Sequence, residues 1–126
     1  MRAVDTNVLV RLITRDDARQ AALADEFVES GAWVSILALA EASWVLQKLY
    51  DRTAAELASA IALLLDHKNL TIQDAEAVGT ALDLFRQRPA LGFSDCLMLE
   101  LARKAGHLPL GTFDRNLGKV DGAEKL

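Results

Sequence analysis

Four acidic side chains, Asp5, Glu41, Asp95 and Asp114, stand in surroundings that make them candidates for chemistry. Asp5 ends the strand-like run from Met1 and opens Asp5-Thr6-Asn7. Glu41 lies in the run from Ile36 to Leu46, where Ser43 is the only other polar side chain. Among Leu37, Leu39, Trp44 and Val45 a lone acid is costly to desolvate, so it must reach the rim of the fold or meet a positive charge. Asp95 follows Ser94 at the start of a helical pattern, and Asp114 ends Thr112-Phe113-Asp114. Carboxylates brought together repel one another, and a fold gathers them only around a cation. Oxygen-only ligands select hard divalent ions, which makes Mg2+ or Mn2+ the natural occupant. No set of cysteines and histidines has zinc spacing; His67 and His107 each sit near a helix end.

The elements that must position these acids follow from periodicity and punctuation. Strands are predicted at 1–5, 32–34, 70–72 and 108–112, with a terminal edge strand at 124–126. Helices are predicted over 6–14, from an Asp16 or Asp17 cap to about Ser30, and from a Ser35 cap through Tyr50. Thr53 with Glu56 forms a capping box for a helix to about His67. Asp74 starts the next helix, which carries Val78, Leu82 and Phe85 and ends before Pro89. Ser94 is the predicted N-cap of the last long helix, with Phe93 and Met98 as its hydrophobic staple and Gly106 as its stop. The alternation implies an α/β/α sandwich, with one short central parallel sheet of about four or five strands covered on both faces. Ligands in such folds collect at the carboxyl ends of the strands, where Asp5 and Asp114 fall.

The composition agrees with one packed domain spanning 1–126: 52% hydrophobic, 25% charged and only 6% aromatic, so aliphatic side chains and alanine fill the core. The single cysteine, Cys96, excludes an internal disulfide and suits a reducing cytoplasm. No secretory leader is read at the start, and no apolar run approaches the roughly 20 residues that span a bilayer. The expected setting is therefore the cytoplasm. A net charge of −4 argues against a protein that coats nucleic acid generally. It does not argue against a nuclease, whose gathered acids lower the global charge while the metal reverses the local sign.

Taken in order, Asp5-Thr6-Asn7, the helical Glu41, Ser94-Asp95 at a helix start and Thr112-Phe113-Asp114 after a strand resemble the PIN-domain pattern over nearly the whole chain. The resemblance implies an acidic pocket of Asp5, Glu41, Asp95 and Asp114 around Mg2+ or Mn2+. It further implies an endoribonuclease leaving a 5′-phosphate and a 3′-hydroxyl. Asn7 and Thr112 match family positions that support such a pocket by hydrogen bonds, and Ser94 is a third candidate. The small size looks most like VapC toxins of bacterial toxin–antitoxin pairs. Members of that group are typically homodimeric ribonucleases held inactive by a VapB-like antitoxin protein.

Plainer readings stand beside these. Taken singly, Asp5 or Asp95 is a helix cap, Asp114 a turn residue and Glu41 a solvated helix position. Arg11 and Arg15 share one helical face, Arg86 and Arg88 flank the loop before Asp95, and Arg115 follows Asp114. Each is a candidate for RNA contact or an ordinary surface charge, with Arg115 first among them. Trp33, Trp44 and Phe85 read as core or dimer-surface residues, Cys96 as a buried thiol, and Glu100 as an acid pointing away from Asp95. A receiver domain would need an acidic pair after the first strand and a lysine at a late strand end. A haloacid-dehalogenase-type phosphatase would need an acid where Asn7 stands. A catalytically inactive PIN-like module that binds RNA or protein is the remaining alternative.

Overall fold

Short polar side chains open four helices in the first half of the chain by accepting the free N–H groups of the first turn. Asp5 caps α1 (Thr6–Thr14) and Asp17 caps α2 (Ala18–Val28). Ser35 caps α3 (Ile36–Lys48), and Thr53 caps α4 (Ala54–Asp66) in a reciprocal capping box with Glu56. Between them run three strands of three residues each: β1 (Arg2–Val4), β2 (Ala32–Val34) and β3 (Leu70–Ile72). A computed structural model describes residues 1–126 and divides them into two compact units, 1–75 and 76–126.

In the first unit the strands form a parallel sheet in the order β1-β2-β3, with Val4, Val34 and Ile72 in register. Each crossover carries two helices, and α1 packs on α2 and α3. Leu9, Val28, Val34, Leu39, Leu46, Leu57 and Ile61 are fully buried and make the core. Strand side chains alternate: Val4, Ala32, Val34, Leu70 and Ile72 are buried, whereas Ala3, Trp33 and Thr71 are exposed. The sheet is thus not covered on both faces as expected. A strand buried on both sides reads as a continuous apolar run, and Thr71 interrupts one.

The second unit contains α5 (Ala75–Gln87, which begins at the boundary), α6 (Phe93–Ala105), β4 (Leu110–Thr112), a 3₁₀ turn at Leu117–Lys119 and β5 (Ala123–Lys125). Phe85 and Phe93 meet edge to face, with ring centroids 6.0 Å apart, beside buried Leu91, Cys96, Leu97 and Leu99. The buried Glu100 carboxylate pairs with Arg103 at 3.2 Å. Arg103 also donates to the Asp121 carbonyl at 2.7 Å, fastening the turn into β5.

The α/β class is as expected, but the sheet is not one of four or five strands. Five strands form, three in one parallel sheet and two, β4 and β5, in another. The backbone of β4 is committed to β5 and its flanks: Leu110 N–H donates to Gly122 and the Thr112 carbonyl accepts from Leu126. The start of α6 also differs. Gly92, not Ser94, holds the cap position, Ser94 lies inside the first turn, and Met98 is 51% exposed and forms no staple. Burial of Phe93 against Phe85 draws the helix start forward. Gly106 ends α6 as expected, at φ 82°, with its N–H on the Ala102 and Arg103 carbonyls. No helix is long and apolar enough to cross a membrane.

Candidate active site

Because β1 and β2 run parallel and in register, the residues that follow them, Asp5 and Ser35, start α1 and α3 at the same end of the sheet. The packing of α1 on α3 then brings the Thr6 hydroxyl to Glu41, where Oγ1 donates to Oε2 at 2.8 Å. Glu41 is exposed, so it reaches the rim of the fold, and its partner is a neutral hydroxyl instead of a positive charge. Asp5 is exposed too. Its Oδ1 accepts the Val8 N–H at 3.2 Å, so it is a helix cap with a second carboxylate oxygen left for a ligand. Capping and metal binding therefore do not compete for the same atom.

The second unit supplies another pair. Asp95 lies in the first turn of α6 and is half-buried. Burial, and after it the negative charge of Asp114, pushes its carboxyl above the ordinary value. Asp114 follows β4 at the head of a tight turn: its N–H donates to Thr112 Oγ1 at 3.0 Å and its Oδ1 accepts from Leu117 N–H at 2.8 Å. No lysine or arginine is ion-paired with either acid. Three or more aspartate, glutamate, histidine or cysteine side chains gather as a ready cage within neither unit. Each unit brings two acids.

The remaining candidates divide. Thr112 supports Asp114 through the backbone hydrogen bond just described, while Ser94 is half-buried next to Asp95. Asn7 lines an apolar groove of about 280 Å³ with Val8, Arg11, Gln20, Leu23 and Phe27. Arg11 is engaged by Gln20 at 2.5 Å, Tyr50 at 2.9 Å and Asp16 at 3.1 Å. Arg15 forks onto Asp25 at 2.6 and 3.1 Å. Both arginines are thus occupied in holding the first unit together. Arg115 is exposed beside Asp114 and carries no ion pair. Sequence reasoning missed Thr6 as a support for Glu41, since nothing local shows that α1 packs on α3; its place in Asp5-Thr6-Asn7 was the one available signal.

The donor chemistry fits a hard divalent cation. Every candidate ligand atom is an oxygen, and the negative charge of Asp114 adds to burial in disfavouring the charged form of Asp95. No curated protein and no solved structure matches the chain. A family model described as PIN domain matches residues 2–123. A match of that extent covers all four acids and every helix, and it settles the kinship: the chain belongs to the PIN-domain family.

Proposed function

We propose that this chain is a divalent-metal-dependent endoribonuclease of the VapC toxin type, with Asp5, Glu41, Asp95 and Asp114 as the ligands of one or two Mg2+ or Mn2+ ions. PIN domains are generally metal-dependent nucleases, and that supports hydrolysis of a phosphodiester here. The observation that carries the reading is the pair Asp95 and Asp114, two carboxylates that repel without an arginine or lysine to offset them. A purely structural role is served better by a neutral or basic neighbour, so tolerated repulsion favours a cation site.

When bound, a divalent cation supplies the charge that offsets the acids and polarises water and phosphate oxygens. The chain's own contribution is positional. Thr6 holds one oxygen of Glu41, and Val8 N–H holds one oxygen of Asp5. Leu117 N–H fixes one oxygen of Asp114, and the Thr112 hydroxyl fixes the turn behind it. Such supporting bonds narrow the orientations of the ligand oxygens before any ion arrives.

A homodimer and a VapB-like antitoxin belong to the same proposal. Leu37 and Trp44, seven residues apart on α3 and 70% and 56% exposed, are apolar side chains open to a partner chain. The lone Cys96, buried and with its thiol pushed up to about 11 mainly by burial, fits a cytoplasmic setting. The test is incubation with total RNA, followed by mapping of the cleaved ends. Cleavage with Mn2+, none in EDTA and none by Asp95→Asn is the expected result, with 5′-phosphate ends. Cleavage that persists in EDTA contradicts the proposal, and a wild-type protein inert under every metal favours the inactive module.

A further inference from the structure

We propose that a basic pocket in the second unit, lined by Arg88, Pro89, Ala90, Leu91, Asn116 and Lys119, binds a backbone phosphate of the RNA strand away from the scissile bond. The pocket encloses about 350 Å³ and contains no acid in its lining. It lies between two loops whose shapes are set by backbone hydrogen bonds. Leu91 N–H donates to the Arg88 carbonyl at 3.0 Å, closing one turn. Gly118 N–H donates to the Asp114 carbonyl at 2.9 Å and Lys119 N–H to the Asn116 carbonyl at 3.3 Å, closing the other. Leu91 is buried, while Arg88, Asn116 and Lys119 are exposed at the rim.

The basic groups of this pocket are free of ion pairs. Arg11, Arg15 and Arg103 are all ion-paired, whereas neither Arg88 nor Lys119 has a carboxylate partner. The second unit carries seven basic and seven acidic residues, and two of the seven bases converge on a cavity that none of the acids enters. A planar guanidinium, a mobile ammonium and an amide donor around one cavity match the oxygens of a phosphodiester. Pro89, Ala90 and Leu91 complete the lining, and no aromatic ring is present to stack a base. The grip is therefore on the backbone and independent of sequence.

The position links the pocket to the acids. Asn116 is two residues beyond Asp114 on the same tight turn, and the loop holding Arg88 leads through Gly92 into the first turn of α6, where Asp95 lies. A strand held by the pocket would thus run past this pair. The inference rests on the nuclease reading for the choice of RNA as the polymer, but phosphate capture is read without cleavage.

The experiment measures binding of a short fluorescent single-stranded RNA by anisotropy, in EDTA, across a range of salt concentrations. Wild type is compared with Arg88→Ala, Lys119→Ala, the double variant and a control, Lys68→Ala, in the first unit. All three positions are exposed, and thermal melts verify folding. The double variant is expected to lose at least about tenfold in affinity. The slope of log affinity against log salt should fall by about 1.4, since each single-strand phosphate contact contributes about 0.7. Lys68→Ala should change neither. Unchanged affinity and slope in the double variant overturn the inference, as does a wild type that binds no RNA at low salt. Poly-glutamate competing as well as RNA would also overturn it, in favour of an acidic protein partner. Pair-dependent binding by a protein that cuts nothing in Mn2+ would support the pocket and sink the nuclease reading. Cleavage by a double variant with wild-type affinity would do the reverse.

Discussion

Burial, and then the charge of Asp114, lift the Asp95 carboxyl above its ordinary value, which has a consequence for the metal-free protein. A raised carboxyl pKa means that the fold disfavours the charged form. The group therefore destabilises the protein above its folded pKa and ceases to do so as the pH falls below the unfolded value of about 3.9. Asp95→Asn is predicted to raise the metal-free Tm at pH 7, with the gain shrinking through the carboxylate range. Melts in EDTA at pH 7 and pH 4 measure both quantities, and a lower Tm at pH 7 would make Asp95 a structural group. At Glu41 the prediction concerns Thr6. Thr6→Val removes a hydrogen bond near the surface, at a stability cost of about 1 kcal/mol or less. It should weaken Mn2+ binding by about tenfold, with Thr6→Ser restoring it, as calorimetric titration can check. The local settings of the four acids, at a strand end, at a helix start or in an apolar run, were legible in the sequence. Thr6 was not, and Arg11 and Arg15 were legible as charges without their partners, because Gln20, Asp25 and Tyr50 are brought to them by packing.

Helix starts were read most accurately where the cap is local. The limits of α1, β2 and β3 agree with expectation to the residue, and the Thr53–Glu56 box forms as its spacing predicts. Thr53→Ala should cost about 1 kcal/mol, measurable from the urea midpoint. The Thr53 backbone N–H, and then its hydroxyl, hold the Glu56 carboxyl below its usual range. A lowered carboxyl contributes stability above the unfolded value of about 4.3 and loses it as the pH falls through the folded pKa. Glu56→Gln should therefore destabilise the protein at pH 7 and leave it nearly unchanged at pH 2. The start of α6 was read wrongly for the opposite reason. Ser94 has the right chemistry for a cap, but the burial of Phe93 against Phe85, a contact eight residues back, decides where the helix begins. Strand pairing was beyond local reading as well. Three-residue strands carry too little pattern to say which neighbour they join, and β4 joined β5 instead of extending the first sheet.

At the scale of the whole molecule the charge is unevenly divided. The first unit carries seven basic and eleven acidic residues, and the second is balanced. RNA binding through the second unit is therefore expected to weaken more steeply with salt than the net charge of −4 would suggest. The central proposal is that Asp5 and Asp95 are both ligands of a divalent metal. Manganese binding by calorimetry to Asp5→Asn, Asp95→Asn and the double variant tests it most directly. Asparagine caps a helix almost as well as aspartate, so the first change spares α1. Each single variant should lose most of the Mn2+ affinity, and the double variant should bind no more tightly than either single. Full Mn2+ affinity in Asp5→Asn, with loss confined to Asp95→Asn, would contradict the claim.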